Sequence, residues 1–374
     1  MYKTKKQLQE QQTLMTRSCV ISLKFITEKK RNKLKALLSR YRSAVNFYIN
    51  LVWNNRDLID VGLKKQTYGK CQIQHLSARF KNAALKQAIE IITSTIASAE
   101  ALGAKPTCPK FTGMCEFDAK VLNVLDNTTS NLFDLIVELS TLDRGNKIAL
   151  PTKSTERLNY WLEKPGAKLI PGGKINEDVL IVRVSLPIPE YRQEGRVVGC
   201  DIGINKLIVT TDGIEAQLHG TEMKAMMASI NRKKPGSKGR KRAQRRRDNF
   251  VSTVVRNAFD WKTIKTIGVE DLRGLKQGKR KNQSRAFRRT RASWTYRQVV
   301  GRLEQISQEN GIFLVKINPA YSSQTCPKCN AVHRDNRKGE NFLCTSCGYS
   351  NDSDVVGAEN ILERTLRLLR SWSP

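Results

Sequence analysis

The sequence predicts an α/β chain in two parts: a strand-rich N-terminal portion interrupted by helices, and a C-terminal mixed sheet flanked by helices and carrying a cysteine knob. Three observations predict it. Apolar residues recur at three and four along two stretches between about 26 and 104, the spacing of one helical face. Short β-branched runs fill about 117–187 and resume at 196. Two Cys-x-x-Cys pairs stand at 326–329 and 344–347.

Ser18 to Phe25 alternates like a strand, and Thr27 can cap the helix that follows. Leu34, Leu37, Leu38, Tyr41, Val45, Tyr48, Ile49 and Val52 form its apolar face. A second helix over Leu76 to Leu102 repeats the pattern with Phe80, Ala84, Ala88, Ile92 and Ile96. The runs 132–139, 146–152 and 177–187, with turns at Asp143–Asn146 and Pro171–Gly173, suggest a small antiparallel barrel or sheet. The strand near residue 20 would complete it.

From Arg196 the texture changes. Runs 196–203, 205–211 and 214–219 read as three strands joined by tight turns. A basic helix (about 239–259), a strand (263–270), a helix (294–310), a strand (312–318), the cysteine knob and a last helix (353–370) follow. That is the ribonuclease H-like order: a mixed sheet opened by a meander and flanked by helices.

Composition excludes several classes. The 374 residues are ample for a core. A hydrophobic fraction of 39% with recurrent periodic segments excludes a wholly disordered chain. Nine cysteines are few and odd in number, which argues against a secreted disulfide scaffold. No charge-free window of membrane-spanning length occurs, and polar, Lys-rich Met1–Gln12 does not read as a secretory leader. The expected setting is a reducing, cytoplasmic one. Sixty-six Lys and Arg against 34 Asp and Glu leave a net charge of +32. Such a field calls for a polyanion, and nucleic acid is the expected one rather than an anionic membrane.

The knuckles Cys326-Pro-Lys-Cys329 and Cys344-Thr-Ser-Cys347 offer four thiolates, a set that makes a tetrahedral structural zinc site. A redox pair is the bland alternative. His333 lies between them and reads as surface.

Three carboxylates stand where the topology would gather them. Asp201 ends the apolar run Val-Val-Gly-Cys, Glu270 ends Thr-Ile-Gly-Val, and Asp354 opens the last helix. Clustered anions repel one another and favour bound cations. Two Mg²⁺ ions would suit phosphodiester hydrolysis. Asp271 and Asp352 compete for the same roles, and each Asp also has an ordinary turn or cap reading.

The segments 197–213 and 267–275, and above all 321–362 with its Asp-x-x-x-Ala-x-Asn-Ile run, resemble the RuvC motifs and zinc ribbon of TnpB proteins. These are transposon-encoded RNA-guided nucleases related to type V CRISPR effectors. Before 195 only Tyr41–Tyr48 has the family's flavour, and Val356 and Gly357 stand where Asn-Ala is commoner. The resemblance implies a ribonuclease H-like (RuvC) nuclease domain over 196–320 and 350–374, with a target-nucleic-acid-binding zinc ribbon inserted at 321–349. It implies a β-barrel-like wedge domain over 1–25 and 105–195, carrying a helical recognition domain over 26–104. Asp201, Glu270 and Asp354 would be the Mg²⁺-binding catalytic triad, and Cys326, Cys329, Cys344 and Cys347 the Zn²⁺ ligands. The partners would be a guide non-coding RNA and target double-stranded DNA, with no membrane and no obligate protein partner, in a prokaryotic cytoplasm.

Two basic stretches would then have roles. Ten Lys and Arg lie within 231–248 and ten within 272–297. Arg240, Arg245, Arg246 and Arg247 on the basic helix, and Arg285, Arg288 and Arg289 in the following loop, are the expected nucleic-acid contacts. Trp294 and Tyr296 could stack on a base or anchor their helix in the core, the latter being favoured for Trp294. The rival readings are an RNA-guided DNA-binding repressor that no longer cuts, a compact type V effector, and a strand-transferring transposase.

Overall fold

The structure, a computed structural model, describes residues 14–59, 70–71, 73, 75–102, 105–127, 132–143, 145–203, 206–212, 220–234, 237–272 and 295–372. The chain divides into two compact units, Leu14–Pro187 and, from Ile188, the rest.

In the first unit, β1 (Leu14–Ser22) alternates exposed and buried residues, as a strand with one covered face must. It pairs antiparallel with β7 (Val179–Pro187), which pairs with β6 (Lys168–Ile175), which pairs with β2 (Cys115–Phe117). A second antiparallel sheet joins β3 (Leu122–Asp126), β4 (Leu135–Ser140) and β5 (Lys147–Thr152). Helix α1 (Glu28–Asn54) is capped by Thr27, whose hydroxyl accepts from the Lys30 amide. It buries Leu34, Leu37, Leu38, Tyr41, Ala44, Val45, Tyr48, Ile49 and Val52. Helix α2 (Ala78–Leu102) adds Phe80, Ala84, Leu85, Ala88 and Ile92 to this core. The rings of Tyr41 and Phe80 meet Phe117 of β2 edge-on, at centroid distances of 4.7 and 5.6 Å. The Tyr41 hydroxyl donates to the Glu116 carbonyl at 3.0 Å, and Arg42 forks onto Glu177 at the β6–β7 turn. The helices therefore share one core with the sheet. A short helix, α3 (Glu156–Leu162), capped by Thr155, falls where the sequence pattern predicts none.

The second unit is built on a four-stranded mixed sheet. Its order is β11 (Phe313–Ile317), β10 (Ile264–Glu270), β8 (Arg196–Asp201), β9 (Val209–Thr210). β10 is parallel to both β8 and β11, and β9 is antiparallel to β8. The third meander strand expected over 214–219 lies outside the described residues. Helix α4 (Gly220–Asn231), absent from the expected order, buries Met223 and Ile230.

The sheet is buried on both faces. Val198, Cys200, Ile267 and Val269 point to one side. There they pack with Val251, Val254 and Val255 of α5 (Lys238–Asn257) and with Val299, Val300 and Leu303 of α6 (Tyr296–Glu309). The alternate residues point to the other side, where α7 (Ser353–Arg370) lies. Two of those alternate residues are Gly199 and Gly268. A Cβ at Gly199 would lie 2.1 Å from the Ala358 carbonyl oxygen and 2.6 Å from the Leu362 amide. A Cβ at Gly268 would lie 2.0 Å from the Thr365 hydroxyl. Each glycine is needed for the helix to come this close. A small three-stranded sheet, β12 (Arg337–Lys338), β13 (Asn341–Leu343) and β14 (Ser350–Asp352), precedes α7 and runs directly into it.

Gly199→Ala meets helix backbone and cannot be relieved by a rotamer. It should destabilise the second unit by about 2–3 kcal/mol. At Gly301 in α6 an added methyl group would have nothing within 4 Å, so Gly301→Ala should stabilise by about 0.5–1 kcal/mol. Denaturant unfolding of the two variants measures both, and equal midpoints would contradict the close-approach account.

Candidate functional site

Cys200 pairs with Val269 across the parallel β8–β10 ladder. Asp201 and Glu270 are the next residues, so they leave neighbouring strands on the same face, the one that α7 covers. Asp354 sits in the first turn of α7. The three carboxylates, separated by 69 and 84 positions in the chain (270 − 201 and 354 − 270), thus come to one end of the sheet. Gly357 contributes to the fit: a Cβ there would be 3.3 Å from the Asp201 carboxyl carbon.

The electrostatics carry the mark of a shared site. Asp201 retains some exposed surface, but its carboxyl is enclosed by protein. Burial pushes its pKa well above the ordinary carboxylate range, and the charges of Glu270 and then Asp354 push it further. Burial also raises Glu270, against a hydrogen bond from Ser322, and raises Asp354, against Arg337 and Lys206. Glu270 and Asp354 thus act on Asp201 without the three being drawn to a point. Among the described residues, the four cysteines are the only potential metal ligands with all donor atoms within 4.8 Å.

Two cations, a serine and a side-chain amide complete the surroundings, and none stands out from the sequence. Arg337 of β12 donates from Nη2 to Asp354 Oδ1 at 3.3 Å. Lys206 Nζ lies 3.9 Å from Asp354 Oδ2 and pairs with Asp352. Ser322 donates to Glu270, and Asn360 of α7 donates to the Ser322 carbonyl at 2.7 Å. The one readable signal is the glycine two positions before both strand-end carboxylates, Gly199 and Gly268. Asp352 is resolved from its competitor Asp354: it is the N-cap of α7, accepting from the Asp354 and Val355 amides at 2.9 and 3.4 Å. The Asp271 amide donates to the Ile317 carbonyl at 2.7 Å, one place past the strand.

The knuckle cysteines come together. Cys326 and Cys347 Sγ are 3.6 Å apart, and Cys329 and Cys344 Sγ 3.5 Å. Ligands at about 2.3 Å from one tetrahedral ion would be about 3.8 Å apart, so the donor set fits zinc. The Cys347 amide donates to Cys344 Sγ at 3.4 Å and draws that thiol down to about 6, favouring the metal-binding thiolate. Gly348, at φ +73°, follows in the left-handed turn that glycine tolerates. His333 is exposed and accepts from the Asp335 amide, away from any metal role.

On α5, Arg245 and Arg246 are exposed and Arg247 pairs with Asp248. Arg240 instead donates to the Ile230 and Lys233 carbonyls and pins the α4–α5 turn. Arg285, Arg288, Arg289 and Trp294 lie outside the described residues. Tyr296 is a core residue whose hydroxyl donates to the Glu270 carbonyl and accepts from the Leu272 amide, so stacking on a base is not its role here.

Two outcomes follow from these sites. With no cation bound, Asp201 holds its proton more tightly folded than unfolded. Native stability then falls as pH rises past the unfolded carboxylate value, a loss that ends only above the raised native value. Asp201→Asn removes that loss. In chelator its melting temperature should exceed the parent's by roughly 3 °C or more at about pH 8, with a smaller gap at about pH 5; the reverse ordering would contradict the shared-site electrostatics. Cys344→Ser should abolish zinc retention, from about one ion per chain in the parent, and unfold the ribbon first, as read by metal analysis and amide exchange.

With this geometry in hand, the similarities are specific. Residues 296–361 match the Cas12f1-like TNB domain model, the stretch holding α6, β11, all four cysteines and the start of α7. The chain is 35% identical over 98 residues, 26% of its length, to the CRISPR-associated endodeoxyribonuclease Cas12f1 of Sulfoacidibacillus thermotolerans, covering 21% of that protein. It is 25% identical over 197 residues to the Cas12f1 of Syntrophomonas palmitatica, 44% of this chain and 38% of that protein. It is 32% identical over 113 residues to a TnpB-like protein of Aquifex aeolicus, 29% of this chain and 36% of that protein. These matches thus span well under half of the relatives' own length. Among solved structures, a Cas12f1–sgRNA–target DNA complex aligns over 90% of this chain and 82% of that one, at 14% identity and a TM-score of 0.49. Residues 296–361 thus carry the likeness to a Cas12f1-like TNB domain, and the chain is similar over part of its length to both Cas12f1 endodeoxyribonucleases and TnpB-like proteins.

Proposed function

We propose that this chain is an RNA-guided DNA endonuclease that cuts phosphodiester bonds at one RuvC-like, ribonuclease H-like site formed by Asp201, Glu270 and Asp354. The observation that carries the proposal is the convergence of these three enclosed carboxylates at one sheet end, with Arg337 reaching in from the ribbon. The matched relatives are named as endodeoxyribonucleases and TnpB-like proteins.

Each residue has work that its surroundings suit. Asp201, Glu270 and Asp354 offer hard oxygen ligands in a setting that penalises their unneutralised charge, which suits Mg²⁺. Bound there, two such ions would supply an activated water and stabilise the departing oxygen. Arg337, now on Asp354, can turn its guanidinium to a phosphate oxygen and offset the charge that develops on it. Lys206 keeps Asp352 in its capping position and so holds the first turn of α7. The four cysteines hold Zn²⁺ and keep the ribbon that carries Arg337 folded.

Guide RNA and target DNA are the proposed partners. A net charge of +32 and the exposed Arg245 and Arg246 provide for phosphate contacts. Specificity would come from base pairing, with protein contacts to the backbone. The wedge and recognition roles fall to the first unit, whose two long helices and two antiparallel sheets supply surface for a nucleic-acid duplex. Among the described residues no helix is long and apolar enough to cross a membrane.

Cleavage of a guide-matched duplex in Mg²⁺, measured beside target binding, tests this. Asp201→Ala, Glu270→Ala and Asp354→Ala should each lose about 10³-fold or more in cutting rate while binding as well as the parent. Arg337→Ala should lose about 10²–10³-fold. A parent that binds its matched target but cuts in neither Mg²⁺ nor Mn²⁺ would replace this reading with that of a targeting repressor.

A further inference from the structure

Where Asp354 has a lysine and an arginine within ion-pair distance, Glu270 accepts its side-chain hydrogen bond from a serine, with the charges of Arg364 and Arg337 acting from farther off. Ser322, 5% exposed, donates from Oγ to Glu270 Oε1. The same hydroxyl lies 3.1 Å from the Pro319 carbonyl. It has one hydrogen, and the ionised carboxylate is the stronger acceptor. Ser322 is itself held in place. Its carbonyl and that of Thr325 both accept from the Asn360 amide, at 2.7 and 2.8 Å. Asn360 is 6% exposed and lies on α7, the helix whose first turn carries Asp354.

The backbone bends to make this contact. Tyr321, directly before Ser322, adopts φ +60°, a conformation disfavoured for a bulky residue. The residue is 65% exposed, so burial of its side chain does not repay the strain. The turn is closed by the Thr325 amide and hydroxyl, both donating to the Tyr321 carbonyl, at 3.0 and 2.8 Å. Cys326, the first zinc ligand, follows at once. Strain of this kind persists where surrounding contacts over-determine it, commonly at functional sites.

Resting on the nuclease reading above, we propose that Ser322 is a positioning residue for Glu270. The turn between β11 and the first knuckle, clamped by Asn360, sets where the Glu270 carboxylate points. The strand β10 fixes only the Glu270 backbone, with help from the Tyr296 hydroxyl. The hydrogen bond from Ser322 fixes the side chain. Groups that orient a metal-binding carboxylate change cation affinity by about 10–100-fold when removed.

The experiment measures Mn²⁺ affinity of the full chain by electron paramagnetic resonance, which needs no cleavage, beside the Mg²⁺ concentration giving half-maximal cutting. Zinc content and target binding are recorded for every variant. Ser322→Ala should weaken Mn²⁺ binding about 10-fold or more and raise the Mg²⁺ requirement in step, with zinc and target binding retained. Ser322→Thr, which keeps the hydroxyl, should stay within about threefold of the parent, and Asn360→Ala should move in the direction of Ser322→Ala. Ser322→Ala within about twofold of the parent, zinc retained, would overturn the proposal. So would loss of zinc and Mn²⁺ together in both Ser322 variants, because the residue would then serve ribbon folding. A parent whose Mn²⁺ binding is indifferent to Asp201→Ala would instead sink the nuclease reading, and this proposal with it.

Discussion

The carboxylate site depends on how closely α7 lies against the central sheet. Two glycines, Gly199 and Gly268, stand on adjacent parallel strands and face the helix, and neither position has room for a methyl group. Each precedes a carboxylate by two residues, so the alternation of side chains along a strand puts glycine and carboxylate on the same face. The close approach that the glycines permit is what brings the first turn of α7, and Asp354 with it, to Asp201 and Glu270. Gly357 extends the same logic to the helix side, where it leaves space beside the Asp201 carboxyl.

Assembling three anions in an enclosed place is unfavourable unless something compensates. Partial compensation comes from two cations on separate segments, Lys206 after β8 and Arg337 in the ribbon. Both lie within ion-pair distance of Asp354, while Asp201 is pushed up by burial and by the charges of Glu270 and Asp354, with Arg337 opposing. The ribbon is therefore part of the carboxylate site as well as the carrier of the four-cysteine cluster. It sends Arg337 to Asp354, its preceding turn sends Ser322 to Glu270, and its last strand becomes the cap of α7. A stable ribbon and a well-ordered carboxylate site are in this sense one structural requirement.

What is legible in the sequence is what short-range pattern determines. The apolar face of α1 can be named residue by residue, because a helix repeats every 3.6 positions whatever packs on it. The cysteine knuckles can be read as one four-thiol donor set because both halves of each knuckle are local. Asp201 and Glu270 are visible as the polar ends of apolar strands, and the strand order suggests that they meet. The rest depends on side chains meeting across long sequence separations. Arg337 lies in a polar run with His333, Arg334 and Lys338, and nothing local distinguishes it from its neighbours. Ser322 and Asn360 are 38 positions apart and meet only once α7 has docked. Arg240 looks like a phosphate contact because it lies in a basic run, yet it donates to the Ile230 carbonyl near the end of α4 and to the Lys233 carbonyl just beyond it. Helix α4 is easily overlooked although Met223, Met226, Met227 and Ile230 recur at three and four, since the basic run after it dominates the local composition.

The account's central claim is that glycine-permitted docking of α7 makes Asp201, Glu270 and Asp354 one divalent-cation site, separate from the four-cysteine zinc site. Crystals of the full chain grown with Mn²⁺, with anomalous data collected at the zinc and manganese edges, test it most directly. The account predicts a zinc peak among Cys326, Cys329, Cys344 and Cys347, and manganese touching Asp201 with at least one of Glu270 and Asp354. Manganese bound elsewhere on the chain, with Arg337 and Lys206 still on Asp354 and no metal at Asp201, would contradict it.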